Sequence, residues 1–203
     1  HWYFPVVYLL KESLPALIIV LGALLAPLWK LMRRTACRDK GRSFGEYLRE
    51  NFTGFALVLF LFIYWAYSIN SNLNIGVRHL MPVIPIMYML AAVVWKKWVM
   101  GPGISLDGPA FTAAWNAIKS LASSWFKLSV LCALLLWVLM ETFGSAPYFI
   151  SYFNQIGGGT WGGYRYATDS NYDWGQDMLR LRKFVDEHPE IDKIGVDYFG
   201  TSG

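Results

Sequence analysis

Apolar residues fall along this chain in long blocks, not at scattered positions. Residues 14–32 carry almost no charge before Lys30, and residues 52–69 carry none. A third block covers residues 80–95 and a fourth covers 128–140, extended by Trp125 and Phe126. A helix needs roughly 20 apolar residues to cross the hydrocarbon core of a bilayer. The first two blocks meet that length, and the others reach it with their flanking aromatics. The pattern predicts about four spans, near 13–32, 52–69, 79–96 and 125–143, in an all-α transmembrane region of residues 1–143. Ahead of the fourth, Asp107-Gly108-Pro109 can start a helix. Phe111, Trp115, Ile118 and Leu121 then follow at helical spacing, which predicts a short amphipathic helix on the inner membrane surface.

Beyond Phe143 the rhythm changes. Met178, Leu181, Phe184 and Val185 recur as on one helix face until His188-Pro189, whereas Ile194, Val196 and Tyr198 alternate as in a strand. Residues 144–203 therefore read as the start of a small external α/β domain.

Charge orients the spans. Basic residues gather in cytoplasmic loops. Lys30, Arg33, Arg34, Arg38, Lys40, Arg42 and Arg49 lie between the first two blocks, while residues 70–79 hold only Arg78. Lys96, Lys97, Lys119 and Lys127 lie between the third and fourth. The start of the chain, the 70–79 loop and everything after Phe143 are expected outside. The composition agrees with a membrane protein: 55% hydrophobic and 16% charged over 203 residues. The net charge of +4 then belongs to the inner face and implies no nucleic-acid partner. Cys37 falls in a cytoplasmic loop and Cys132 in a span, which argues against a disulfide between them. The abrupt start and end read as an internal piece of a larger integral membrane protein.

Three polar places outside the spans could carry chemistry. Lys11-Glu12 precedes the first span, either as an interfacial snorkelling pair or with Lys11 meeting a lipid phosphate. In "GVRHLMPVIP", Arg78 and His79 sit where the chain re-enters the bilayer, and Pro82 and Pro85 disturb the first helical turn. An arginine fork there suits a phosphate or pyrophosphate, and a plain interfacial anchor is the alternative. The third place is "TDSNYDWGQD", residues 168–177. Asp169-x-Asn171-x-Asp173 opens like a calcium loop, but Trp174 stands where that loop needs glycine and Arg180 where it needs glutamate. No metal site is expected. Asp173 as N-cap with Gln176 three residues on is a capping box, which predicts a helix starting there. The glycines at 157–159 and 162–163, interleaved with Trp161, Tyr164 and Tyr166, read as a flexible approach. That approach suits a sugar-stacking surface or a plain loop.

"YFNQIGGGTWGGYRYATDSNYDWGQDMLRL" resembles the junction between the last span and the external domain of certain bacterial membrane glycosyltransferases. These are similar to the dolichyl-phosphate-mannose protein mannosyltransferases of the GT-C class. "HWYFPVVYLLKESLP" and "GVRHLMPVIP" resemble earlier stretches of the same proteins, in the same order. A proline expected near Gly157-Gly158-Gly159-Thr160 is missing. The resemblance implies an inverting hexosyl transfer at the extracytoplasmic face of a bacterial inner membrane. The donor would be a sugar on a polyprenyl phosphate, and the acceptor a protein, lipid or glycan. The general base would lie in an external loop absent from these residues, so no catalytic residue is assigned. Arg78, His79 and Lys11 are the candidates for binding the lipid phosphate. Asp169, Asn171, Asp173, Trp174, Gln176 and Asp177 are the candidates for shaping the cavity. No cofactor is implied for these residues, and a divalent cation is allowed for in the full-length enzyme. The competing readings are a non-catalytic anchor presenting an external binding module, and a transporter. Against a transporter, no span places a charge near its middle.

Overall fold

The computed structural model describes residues 2–35, 44–72, 76–101, 103, 109–172 and 174–196. Its helices are α1 (Tyr3–Lys11), α2 (Leu14–Thr35), α3 (Phe44–Glu50), α4 (Phe52–Asn70), α5 (Ile84–Met100), α6 (Ala110–Gly144), α7 (Gly159–Gly162) and α8 (Met178–Glu187). The expected count of about four spans is not met. Among the described residues, α4 and α6 are long and apolar enough to cross a membrane. A third qualifies only if α1 and residues Leu14–Ala26 of α2, bent by 120° at their break, count as one. Two such helices, their apolar side chains largely exposed, fit a membrane protein.

The shortfall at 79–96 has a local cause. Proline lacks the N–H that a helix interior needs, and Pro82 and Pro85 stand three residues apart. Val77–Leu80 forms a 3-10 turn instead, and α5 begins at Ile84 with a proline in its first turn. Its 17 residues make a rod of about 25 Å, short of a core of about 30 Å.

The predicted surface helix and fourth span are one element. α6 runs unbroken for 35 residues, so residues 110–124 continue the axis of 125–143 and no separate in-plane helix forms. Asp107 and Gly108 lie outside the described residues.

α2, α5 and α6 pack together through small residues. Ile19, Ala23 and Ala91 form a core closed by Val94, Trp95 and Leu134. Trp95 lies over Gly22, where an added Cβ would come within 3.3 Å of its ring. Its indole N–H donates to the Ile19 carbonyl at 2.9 Å. Close approach over glycine and alanine is how helices associate where lipid competes for every apolar face.

The expected α/β domain is also overturned. No strand exists among the described residues: after α8, residues 191–196 are irregular. A strand needs a partner for its N–H and C=O groups, and no partner strand exists among the described residues. Tyr198 and Phe199 lie outside the described residues. α8 matches its predicted apolar period, yet none of its residues is buried. The stretch before it packs back onto the membrane region, where Phe153 and Ala167 share a core with Val7 and Leu10.

Candidate functional site

Asn154 ties the segment after α6 to the end of α1. It is 1% exposed, so every polar atom on it needs a partner. Its amide nitrogen donates to the carbonyls of Leu9 at 2.7 Å and Glu12 at 2.8 Å. Its Oδ1 accepts from the N–H groups of Ile156 and Gly157, and its own N–H donates to the Leu10 carbonyl. One side chain thus caps the C-terminal carbonyls of α1 and the start of the turn Gln155–Gly157. Beside it Phe153 is 1% exposed. A Cβ on Gly163 would overlap the Phe153 ring, and one on Gly157 would come within 3.1 Å of Phe153 Cβ. Gly157 and Gly163, two of the five glycines expected to form a flexible approach, are therefore seats for a buried ring.

The 70–79 loop is held from the other side. Asn171, 2% exposed, accepts from the Val77 N–H at 3.1 Å and donates to the Tyr3 hydroxyl at 2.8 Å. Gly76 adopts φ +85°, and a Cβ there would sit 2.9 Å from both Asn171 Oδ1 and Ser170 Oγ. Backbone in this region, with ψ 174°, costs any other residue about 1–3 kcal/mol. Gly76→Ala should lower the thermal midpoint of the detergent-purified protein and loosen the Val77–Asn171 bond. An unchanged midpoint would show that the loop can relax around a methyl group.

Between these two anchors lies an open cavity of about 430 Å³. Lys11, Arg78, Asn171 and Trp174 line it, with Met81, Ile84, Phe149 and Ile150 as an apolar wall and Tyr152 at its side. Four residues chosen from three distant stretches of sequence meet here. Arg78 is exposed, and its guanidinium lies 4.9 Å from the centre of the Trp174 ring. No carboxylate among the described residues forms a salt bridge with it. Trp174 is fixed in turn: its indole N–H donates to the Ser170 carbonyl at 2.7 Å, and its backbone N–H donates to Gln176 Oε1 at 2.7 Å.

Lys11 is committed elsewhere. Its ammonium donates to the carbonyls of Ile150 at 2.5 Å and Asn171 at 2.6 Å, and lies 4.6 Å from the Phe153 ring centre. An ammonium has three donors, so this strut leaves one for a ligand. Glu12 accepts from the Tyr88 hydroxyl at 2.8 Å. The Tyr152 hydroxyl donates to Glu141 Oε2 at 2.6 Å. Burial first, then that bond and the carboxylate's charge, push the Tyr152 phenol above its ordinary range, so it stays a donor at neutral pH.

Of the other candidates, His79, Gln176 and Asp177 do not line the cavity. His79 points into the protein, its ring 5.0 Å from Phe4 and 5.5 Å from Tyr64, and its buried Nε2 has no hydrogen-bond partner. It cannot share a phosphate with Arg78 from there. Gln176 braces the Trp174 turn and donates to the Tyr172 carbonyl. Asp177 pairs with Arg180 at 2.7 Å, both half-exposed. The helix expected to start after Asp173 starts later: α8 begins at Met178, after Gly175 at φ +83° turns the chain. Gln176 accepts from the N–H of Trp174, and the Asp173 half of the expected capping box lies outside the described residues. Asp169 lies in a 3-10 turn with its side chain outside the described residues, as is all of Asp173. Among the described residues no three His, Cys, Asp or Glu side chains gather as a metal site.

Sequence reasoning gave no role to Asn154, Tyr152 or Phe153, although all three stand in the quoted "YFN". A buried asparagine looks like a loop asparagine until its carbonyl partners are placed. Comparison with known protein families, with curated proteins and with solved structures returns no match.

Proposed function

We propose that the cavity binds the phosphate end of a polyprenyl-phosphate sugar and that the parent protein transfers that sugar at the extracytoplasmic face. One observation carries the reading: Arg78 is an arginine fork with no salt bridge among the described residues, steadied on Trp174, above a wall of Met81, Ile84, Phe149 and Ile150. An anion with an apolar tail fits that pairing. In the proposed step the acceptor hydroxyl oxygen forms a bond to the anomeric carbon. The bond from that carbon to the lipid phosphate oxygen breaks, and the hydroxyl proton passes to a general base that these residues do not supply. Arg78 would stabilise the charge that builds on the leaving phosphate. Asn171 and Tyr152 offer polar contacts beside it.

The test is release of free polyprenyl phosphate from a radiolabelled polyprenyl-phosphate hexose, using the full-length protein in vesicles. Release that depends on protein and acceptor supports the reading; binding of the donor without release would leave a lipid-binding module. The side of the membrane is checked separately. Cysteines placed singly at Thr168 and Ser43, with Cys37 and Cys132 replaced, should behave oppositely towards an impermeant thiol reagent in intact cells. Thr168→Cys should react and Ser43→Cys should be protected until the membrane is broken. The reverse result would put the cavity on the inner face.

A further inference from the structure

α1 has no polar face. Phe4, Val7, Tyr8 and Leu10 are buried, while Trp2, Val6 and Leu9 are 74%, 45% and 46% exposed and form one stripe along the helix. What meets that stripe follows from what the opposite face meets. The buried side shares one core with Leu61, Tyr64 and Trp65 of α4, with the Tyr8 and Trp65 rings edge to face at 5.5 Å. α4 is long and apolar enough to span, and it ends at Asn70. At 1.5 Å per residue, Leu61 is roughly 13 Å from that end. α1 therefore lies beside the body of a spanning helix, not above it. The elbow agrees with this depth. With α2 upright, a 120° turn makes α1 climb towards Lys11, so Trp2 sits deeper than the elbow.

We propose that α1 is embedded in one leaflet and that its exposed stripe seats a hydrocarbon chain of a bulk membrane phospholipid. Val6 and Leu9 form one side of a groove of about 460 Å³, with Ile18 and Leu21 of α2, Trp137 of α6 and Ile156 completing it. Its walls are apolar throughout. The groove is continuous with the exposed apolar faces of α2 and α6, which is why lipid, and not a protein partner, is its occupant. Ile156 is the unexpected member. It stands 66% exposed in the turn that Asn154 caps, so the Asn154 bonds to α1 also hold this side chain at lipid depth. Left in water, such a stripe would forfeit the favourable burial of three large side chains.

Wild-type protein in phosphatidylcholine vesicles containing a diazirine-tailed phosphatidylcholine tests this without any substitution. After irradiation, adducts should map to residues 2–9 and 155–157 as well as to α4 and α6. Adducts confined to α4 and α6 would overturn the proposal. So would loss of the α1 adducts on adding unlabelled polyprenyl phosphate, which would give the groove to that chain instead. Nitroxide labels at Val6→Cys and Ile156→Cys, with the native cysteines replaced, supply a second reading. Both should be relaxed more by oxygen than by a water-soluble nickel chelate, with the order inverted at Arg165→Cys. A Val6 label that behaves like the Arg165 label would return α1 to water.

Discussion

Arg78→Ala, in full-length protein that inserts correctly, should lower turnover of a polyprenyl-phosphate sugar roughly ten- to a hundredfold. That range corresponds to losing one charged hydrogen bond, worth about 1.5–3 kcal/mol. Arg78→Lys should fall between wild type and alanine. Lysine keeps the charge, but it cannot present two parallel N–H groups or lie flat on Trp174, whose ring the guanidinium meets at 4.9 Å. The effect should grow with the charge on the lipid head, so donor with a phosphate should suffer more than an uncharged isoprenoid sugar bound to the same cavity. If Arg78→Ala leaves both kcat and KM for the donor unchanged, the arginine only steadies Trp174, and the phosphate site must be sought elsewhere.

Asn154 should be the most sensitive position for stability. Asn154→Ala would strand the carbonyls of Leu9 and Glu12 and the N–H groups of Ile156 and Gly157, all now bonded to one side chain. Each buried group left unpaired costs about 1–3 kcal/mol, so a loss on the order of 3 kcal/mol or more is expected. Asn154→Asp is the sharper probe. It preserves size and the Oδ1 acceptor, but it turns a carboxylate oxygen towards two carbonyls. It should destabilise as much as alanine at neutral pH, read as a drop in melting temperature of the detergent-solubilised protein. A melting temperature equal to wild type would mean that packing of Phe153, and not the amide network, holds the segment after α6 to α1.

What could be read from the residues alone follows a physical line. The block at 52–69 became α4 almost unchanged, because a run with no charge and no breaker leaves only helix as a way to satisfy its backbone in lipid. The block at 79–96 failed at its first turn, where Pro82 and Pro85 outweigh hydrophobicity. Alternation at Ile194, Val196 and Tyr198 records which way side chains would face, not whether a neighbouring strand exists to pair with. The Asp173 to Gln176 spacing was correct for a capping box, but Gly175 takes a left-handed turn between them and moves the helix start to Met178. At the cavity, Lys11 and Arg78 stand out in sequence as charges at span ends, whereas Asn171 and Trp174 stand out only through the polar stretch 168–177 and its resemblance to a family junction. The sequence leaves Lys11 as either an interfacial anchor or a phosphate ligand, and the structure makes it mainly a strut. Its carbonyl partners at Ile150 and Asn171 are distant in sequence and carry no side-chain signature. The same holds for Asn154, and for the glycines whose missing Cβ atoms make room for Phe153.

α6 is a rod without a joint. Its 35 residues extend about 52 Å, far more than the roughly 30 Å of a bilayer's hydrocarbon core. Near one end Glu141 accepts from Tyr152, which lines the cavity, at 2.6 Å and from Gln155 at 2.9 Å. At the other end Phe111, Trp115, Ile118 and Leu121 stand exposed on a single face. A long helix with no break in it transmits torque. Any force that rolls or tilts the Phe111 end is therefore delivered along the whole helix to Glu141, and through it to Tyr152 at the cavity.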